Sequence, residues 1–330
     1  MYFGNIWCIL EIKKCKKELK FQIQINLGKI KVLDFFMKLT VGFCVFIFLG
    51  ILFWIKQISG SRVPIKVIKG CKIKKYKYNK RRVFVMRNRK TTNSNLVILY
   101  IHGGSYVAGI MKEHWLFLNN VCMDISDCTV IIPDYPLPPK YNYKDVFRMI
   151  EGLYSEITNN VDSEKLIVMG DSAGGGLSLA LMQKVGIDNK KQPRKLILIS
   201  PWLDIKMQNS KIDEVQKVDK ILNKNALKLA GNLYLGKGNK DSYLTSPIDG
   251  PLDKLRDITI YTGTYDILNP DVQELVKRSK EEKIDIKVKQ TERAQHIWIL
   301  SKNNKLYHSK EDYNELILEL KELERKNNER

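Results

Sequence analysis

Lys165 to Leu177 read K-L-I-V-M-G-D-S-A-G-G-G-L, and few folds can hold such a run. Leu166, Ile167, Val168 and Met169 have the continuous apolar character of a strand covered on both faces. They lead into Gly170-Asp171-Ser172-Ala173-Gly174, and small residues then open a helix. This is the G-x-S-x-G pattern in the strand–turn–helix setting that gives it meaning: a turn so sharp that its serine sits in strained backbone. Glycines two residues to either side keep side chains out of the neighbouring strand and helix. Ser172 Oγ then stands at the carboxyl edge of a sheet, where the helix N-terminus favours negative charge. A nucleotide-binding loop is the rival reading. It would need a Lys after the glycines or the spacing G-x-G-x-x-G, and neither is present.

The net charge of +20 suggests a nucleic-acid or membrane partner until it is located. Residues 1–95 hold 22 Lys and Arg against Glu11, Glu18 and Asp34, or +19; residues 96–330 hold 34 against 33, or +1. A charge-balanced body thus follows a basic leader. Within the leader, residues 39–55 are uncharged for 17 positions between Lys38 and Lys56. That run reads as a single-pass transmembrane anchor. A signal-peptide core is usually shorter and would be followed by a small-residue cleavage site, and a soluble core helix is less apolar. Residues 1–38 read as an extension, and Met37 as an alternative start.

Residues 56–92 form a basic juxtamembrane segment with a leading hairpin. Lys56 to Lys90 hold 14 basic residues and no acidic one, which suits anionic headgroups. The run abuts an apolar segment and lacks a reader motif, so nucleic acid is not expected. The positive-inside rule would put the body in the cytoplasm, yet long domains after an anchor cross regardless of charge; the expectation leans to the extracytoplasmic side. Six cysteines (Cys8, Cys15, Cys44, Cys71, Cys122, Cys128) show no zinc spacing and no disulfide framework, with only a Cys122–Cys128 bridge open to the body.

From residue 93 onward the pattern alternates. After the leading hairpin strands at Cys71–Tyr78 and Arg82–Met86, strands are expected at Leu96–Ile101, Cys128–Pro133, Lys195–Ser200, Ile258–Thr262 and Ile284–Lys289. Helical patterns lie at Tyr143–Thr158, Leu177–Val185, Val272–Glu282 and Asp312–Arg325. Strands alternating with helices of this size argue a mostly parallel α/β sheet flanked by helices. A polar insertion at about 205–243 reads as a helical cap.

Several motifs stand in order along this body: His102-Gly103-Gly104, Asp134-Tyr135, Gly170 to Gly175, Ser200-Pro201-Trp202-Leu203-Asp204, Ser246-Pro247, Gly263 to Leu268, and His296. Over residues 93–300 the chain resembles the hormone-sensitive-lipase group of α/β-hydrolase esterases. The resemblance implies an α/β-hydrolase fold and a serine esterase acting on short- to medium-chain acyl esters, with no cofactor or metal. Cleavage of amides or formamides by the same residues, or a non-catalytic binding role, are the alternatives.

A serine hydroxyl needs a positioned base. Of His102, His114, His296 and His308, the order serine–acid–histidine of that fold leaves the last two. His296 follows the last expected strand on a loop reaching back over the carboxyl edge, whereas His308 lies in a polar stretch. Asp266 or Asp271 can supply the acid that orients the imidazole; the resemblance selects Asp266, whose bland alternative is a helix cap. For the oxyanion, Ala173 supplies one backbone N–H, and Gly103 and Gly104 supply others. His102 and Asp171 read as motif support. Ser105 stands where the group usually has a third glycine, and with Tyr106 it is expected to line the substrate pocket.

Overall fold

A computed structural model describes residues 63–329 except 65, 67, 92–93, 240 and 302–307. The expected anchor at 39–55, the extension before it and Cys8, Cys15 and Cys44 lie outside these residues. Among the described residues, no helix is long and apolar enough to cross a membrane.

Eight strands form one sheet in the order β1-β2-β4-β3-β5-β6-β7-β8. β1 (Cys71–Tyr78) and β2 (Arg81–Asn88) form the expected hairpin, which pairs antiparallel onto β4 (Cys128–Pro133). The hairpin is therefore part of the sheet. β3 (Leu96–Ile101), β4, β5 (Leu166–Asp171), β6 (Lys195–Ile199), β7 (Ile258–Gly263) and β8 (Ile286–Thr291) run parallel. Lys72, Lys74, Lys75 and Lys77 are exposed on β1, the edge strand, where charged side chains discourage another strand from adding on.

Every residue of β3, β5, β6 and β7 is buried, because helices cover both faces. Leu166 and Val168 pack with α2 (Tyr143–Asn160), α3 (Ser172–Ile187) and α6 (Asn269–Glu281). Ile167 and Met169 point the other way, toward α1 (Lys112–Asp124) and α7 (Ser309–Asn328). The sequence reading has no helix at α1. Two parallel neighbours joined in sequence, here β3 and β4, require a crossover, and α1 supplies it. Three helices begin earlier than their apolar pattern: α3 at Ser172, α6 at Asn269 and α7 at Ser309. The strand expected at Ile284–Lys289 sits two residues further on.

The long connection between β6 and β7 carries the expected cap, built around α4 (Ile212–Val215) and α5 (Lys224–Leu235). α5 turns Leu227, Ala230, Gly231 and Tyr234 inward, and the Tyr234 ring lies on Tyr106 at 3.7 Å between centroids and 4° from parallel. Cys71, Cys122 and Cys128 are buried free thiols, so the open Cys122–Cys128 bridge is not formed.

Candidate active site

Ser172 sits at the hinge between β5 and α3 with φ of 53°, the strained conformation its motif demands. A Cβ on Gly174 would overlap the carbonyl oxygens of Ile101 and His102, so only glycine lets α3 lie this close to β3. The loop after β8 brings His296 over the turn. His296 Nε2 lies 3.0 Å from Ser172 Oγ, and Nδ1 lies 2.9 Å from Asp266 Oδ2. A carboxylate only accepts, so Nδ1 carries the proton and Nε2 is free to accept the serine hydroxyl's. The three residues are separated by 94 and 30 positions, and all are buried.

Burial acts to lower the His296 pKa, but the charge and hydrogen bond of Asp266 outweigh it and hold the imidazole above its usual value. The second Asp266 oxygen accepts the Leu268 N–H at 3.0 Å, so the carboxylate also caps the turn leading into α6. The cap role and the histidine contact coexist. Asp271 and His308 are not brought into this group. Asp271 is buried in the first turn of α6; burial and the nearby Asp204 charge raise its carboxyl to about 7. His308 is exposed at the start of α7.

Behind the serine lies a second Asp–His couple that the sequence reading lacks. Asp171 is fully buried and accepts the Tyr100 hydroxyl at 2.6 Å, the Gly103 N–H at 2.9 Å and His114 Nε2 at 3.2 Å. His114 Nδ1 accepts the Met111 N–H, so Nε2 carries the proton that the ring donates to Asp171. Burial acts to raise the Asp171 pKa; His114, Tyr100 and the Gly103 amide together hold it below the ordinary value. The motif aspartate is thus a buried anion that tethers the loop after β3.

That tether corrects the expectation for Gly103, whose N–H is committed to Asp171 and not directed at a substrate oxygen. The next two peptides are fixed differently. His102 Nδ1 donates to the Gly103 carbonyl at 2.7 Å, and the N–H groups of Val107 and Ala108 donate to the Gly104 carbonyl. In a planar trans peptide the following N–H points opposite its carbonyl. Those bonds therefore turn the N–H of Gly104 and of Ser105 away from the loop interior. Gly104 has φ of 118°, and a Cβ there would meet Ala108, so glycine is required. Ala173, in the first turn of α3, has no intrahelical acceptor for its N–H. Burial lowers the His102 pKa to about 4, and its ring stacks on Tyr135; it supports the loop and stays neutral.

Tyr106 also departs from expectation. It is buried between Tyr234 and Trp202, joining the cap to the sheet, and does not line an open pocket. Ser105 remains half-buried beside it.

The cap is tied to both loops that carry the acid and the histidine. Asp219 Oδ2 accepts the N–H of Ile267, next to Asp266, while Oδ1 accepts those of Ile221 and Leu222. Gln295, next to His296, donates to the Val218 carbonyl and accepts the Lys220 N–H. Burial outweighs the three N–H donors and raises the Asp219 carboxyl above its ordinary value. Neither residue belongs to a motif, and nothing local in the sequence marks them.

The sequence profile of the alpha/beta hydrolase fold matches residues 98–300, more than half the chain. The chain belongs to the α/β-hydrolase fold family. The chain is 29% identical over 194 residues to an esterase of Acinetobacter venetianus, an alignment covering 58% of this chain and 63% of that protein. It is 23% identical over 211 residues to an acetyl-hydrolase of Streptomyces hygroscopicus, covering 64% and 70%. The chain therefore spans less than two thirds of the Acinetobacter protein's own length. Among solved structures it is similar to an esterase from the bacterial hormone-sensitive lipase family, with a TM-score of 0.71 and 24% identity over 78% of this chain and 85% of that one. The likeness to the hormone-sensitive-lipase group thus extends from motifs to fold.

Proposed function

We propose that this hydrolase cleaves carboxylic esters of short to medium acyl chain by acyl transfer through Ser172. The observation that carries the reading is the hydrogen-bonded line from Ser172 Oγ to His296 Nε2 and from His296 Nδ1 to Asp266. Ser172 Oγ attacks the ester carbonyl carbon while His296 Nε2 takes its proton. The negative charge that forms on the carbonyl oxygen is met by the N–H groups of Gly104, Ser105 and Ala173, each worth roughly 3 kcal/mol of barrier. Collapse expels the alcohol, which takes the proton from His296 and leaves an acyl-serine. Water then attacks, His296 takes its proton, and the carboxylic acid is released as Ser172 recovers its own.

The reading is supported by relatives named esterase and acetyl-hydrolase. A fluorophosphonate probe should label the protein, and a panel of p-nitrophenyl esters from acetate to laurate should be hydrolysed fastest at its shorter end. Ser172→Ala should lose both properties and keep its fold. Labelling that persists in Ser172→Ala would move the nucleophile elsewhere.

The uncharged run at 39–55 supports a further element of the proposal: a tether to the membrane, with the catalytic body on the extracytoplasmic side and the basic segment near anionic headgroups. Protease protection of the catalytic domain in sealed cells tests the side. Degradation only after lysis would reverse it.

A further inference from the structure

We infer that the outer face of the cap is a docking surface for an anionic lipid bilayer, from which this site takes its esters; the inference rests on the esterase reading above. Eight large apolar side chains among the described residues stand exposed, and four lie within 16 residues of the cap: Val218 (37%), Ile221 (56%), Leu229 (58%) and Leu233 (38%). Leu229 and Leu233 are one turn apart on α5, on the side away from Leu227, Ala230 and Tyr234, where a surface helix ordinarily carries polar residues. Val218 and Ile221 flank Asp219 on the turn that Gln295 and Ile267 hold beside His296 and Asp266. The apolar face therefore adjoins the loops of the triad.

The charges around it favour a lipid surface. Lys217, Lys220 and Lys228 each directly precede one of these apolar residues, Lys237 follows α5, and all four are exposed. None has an ion-pair partner among the described residues, whereas Lys206 and Lys224 pair with Asp241 and Asp213. Residues 205–243 hold eight Lys against Asp213, Glu214, Asp219 and Asp241, or +4, while residues 96–330 as a whole stand at +1. The body outside the cap is therefore at −3, and the positive charge is concentrated where the apolar side chains emerge. Protein interfaces are enriched in aromatic residues and Arg and depleted in Lys. This face has lysines and aliphatics, the composition of an interfacial amphipathic surface, and a second copy would bring like charge against it.

Two substituted full-length proteins test the inference: Leu229→Ser with Leu233→Ser, and Lys217→Gln with Lys220→Gln and Lys228→Gln. Both should hydrolyse a water-soluble acetate ester within about twofold of the unsubstituted protein, since neither set touches the triad. On a long-chain fluorogenic ester carried in phosphatidylcholine vesicles containing phosphatidylglycerol, the leucine variant should fall by at least about tenfold. The lysine variant should lose most of the salt sensitivity of that activity. An environment-sensitive dye on Asn232→Cys, between the two leucines, should shift to the blue on anionic vesicles and not when both leucines are serine. Vesicle activity unchanged in both variants, or no dye shift, overturns the inference. So does an unsubstituted protein that sediments as a dimer and becomes monomeric in the leucine variant, since a second copy then covers the face. Should no ester be hydrolysed at all, the esterase reading fails by itself, and the dye still reports whether the cap docks.

Discussion

Asp266→Asn should abolish the base without disturbing the fold, and the geometry says why. In the native site both carboxylate oxygens accept: one takes the proton on His296 Nδ1 at 2.9 Å, the other the Leu268 N–H at 3.0 Å. An asparagine has one accepting oxygen and one donating NH2. If its oxygen faces His296, the NH2 opposes the buried Leu268 N–H and strands a donor at a cost of about 1–3 kcal/mol. If the oxygen faces Leu268, the NH2 meets Nδ1 and is satisfied once the imidazole proton moves to Nε2. The second arrangement wins, and it points an N–H at Ser172 where a lone pair is needed. The expected loss in kcat is about 10⁴, or about 5 kcal/mol at roughly 1.36 kcal/mol per tenfold.

The pH profile separates this from simple damage. Native kcat/KM should rise with pH as His296 loses its proton, with that limb above the usual histidine value because Asp266 raises it. In the variant the largest influence raising the value is gone while burial, which lowers it, stays, so the limb should move to lower pH. Hydrolysis of a soluble ester between pH 5 and 9, with circular dichroism to check the fold, supplies the data. A variant within tenfold of native kcat, or a limb that stays in place, would refute the tautomer argument.

Asp219→Asn should also move that limb to lower pH, because the Asp219 charge contributes to raising His296; its three N–H donors would then face an amide, with a stability loss of about 1–3 kcal/mol read by thermal melting. His114→Ala removes a donor from the buried Asp171 anion that tethers Gly103. We expect kcat to drop about tenfold or more with KM little changed, and an effect confined to KM would contradict the tether. Asp271 has a folded pKa of about 7, above its ordinary 3.8, so the folded state holds the extra proton between those values and stability falls as pH rises through them. Asp271→Asn should therefore raise the melting temperature at pH 8 and change it little near pH 4, and equal shifts at both would count against a buried, proton-holding carboxyl.

Much of this protein is determined by local sequence. The apolar runs at Leu96–Ile101 and Leu166–Met169 read as strands covered on both faces, and Gly170 to Gly174 as a turn tight enough to strain Ser172, and the structure has both. Those are properties of short segments, set by side-chain shape and backbone freedom, so they can be read without knowing what lies opposite. Tertiary structure decided the rest, because a donor or lone pair has meaning only once its partner is in place. Gly103 reads as an oxyanion donor until Asp171, 68 residues later, takes its N–H. His114 is excluded as the base by chain order, and its true partner appears only when α1 crosses behind the serine. Tyr106 reads as pocket until Tyr234 of the cap lies flat upon it. Asp219 and Gln295 carry no local mark, since what they do is join segments between 48 and 77 residues apart. Strand and turn are fixed by neighbours in the chain; the direction in which each buried hydrogen bond points is fixed by neighbours in space.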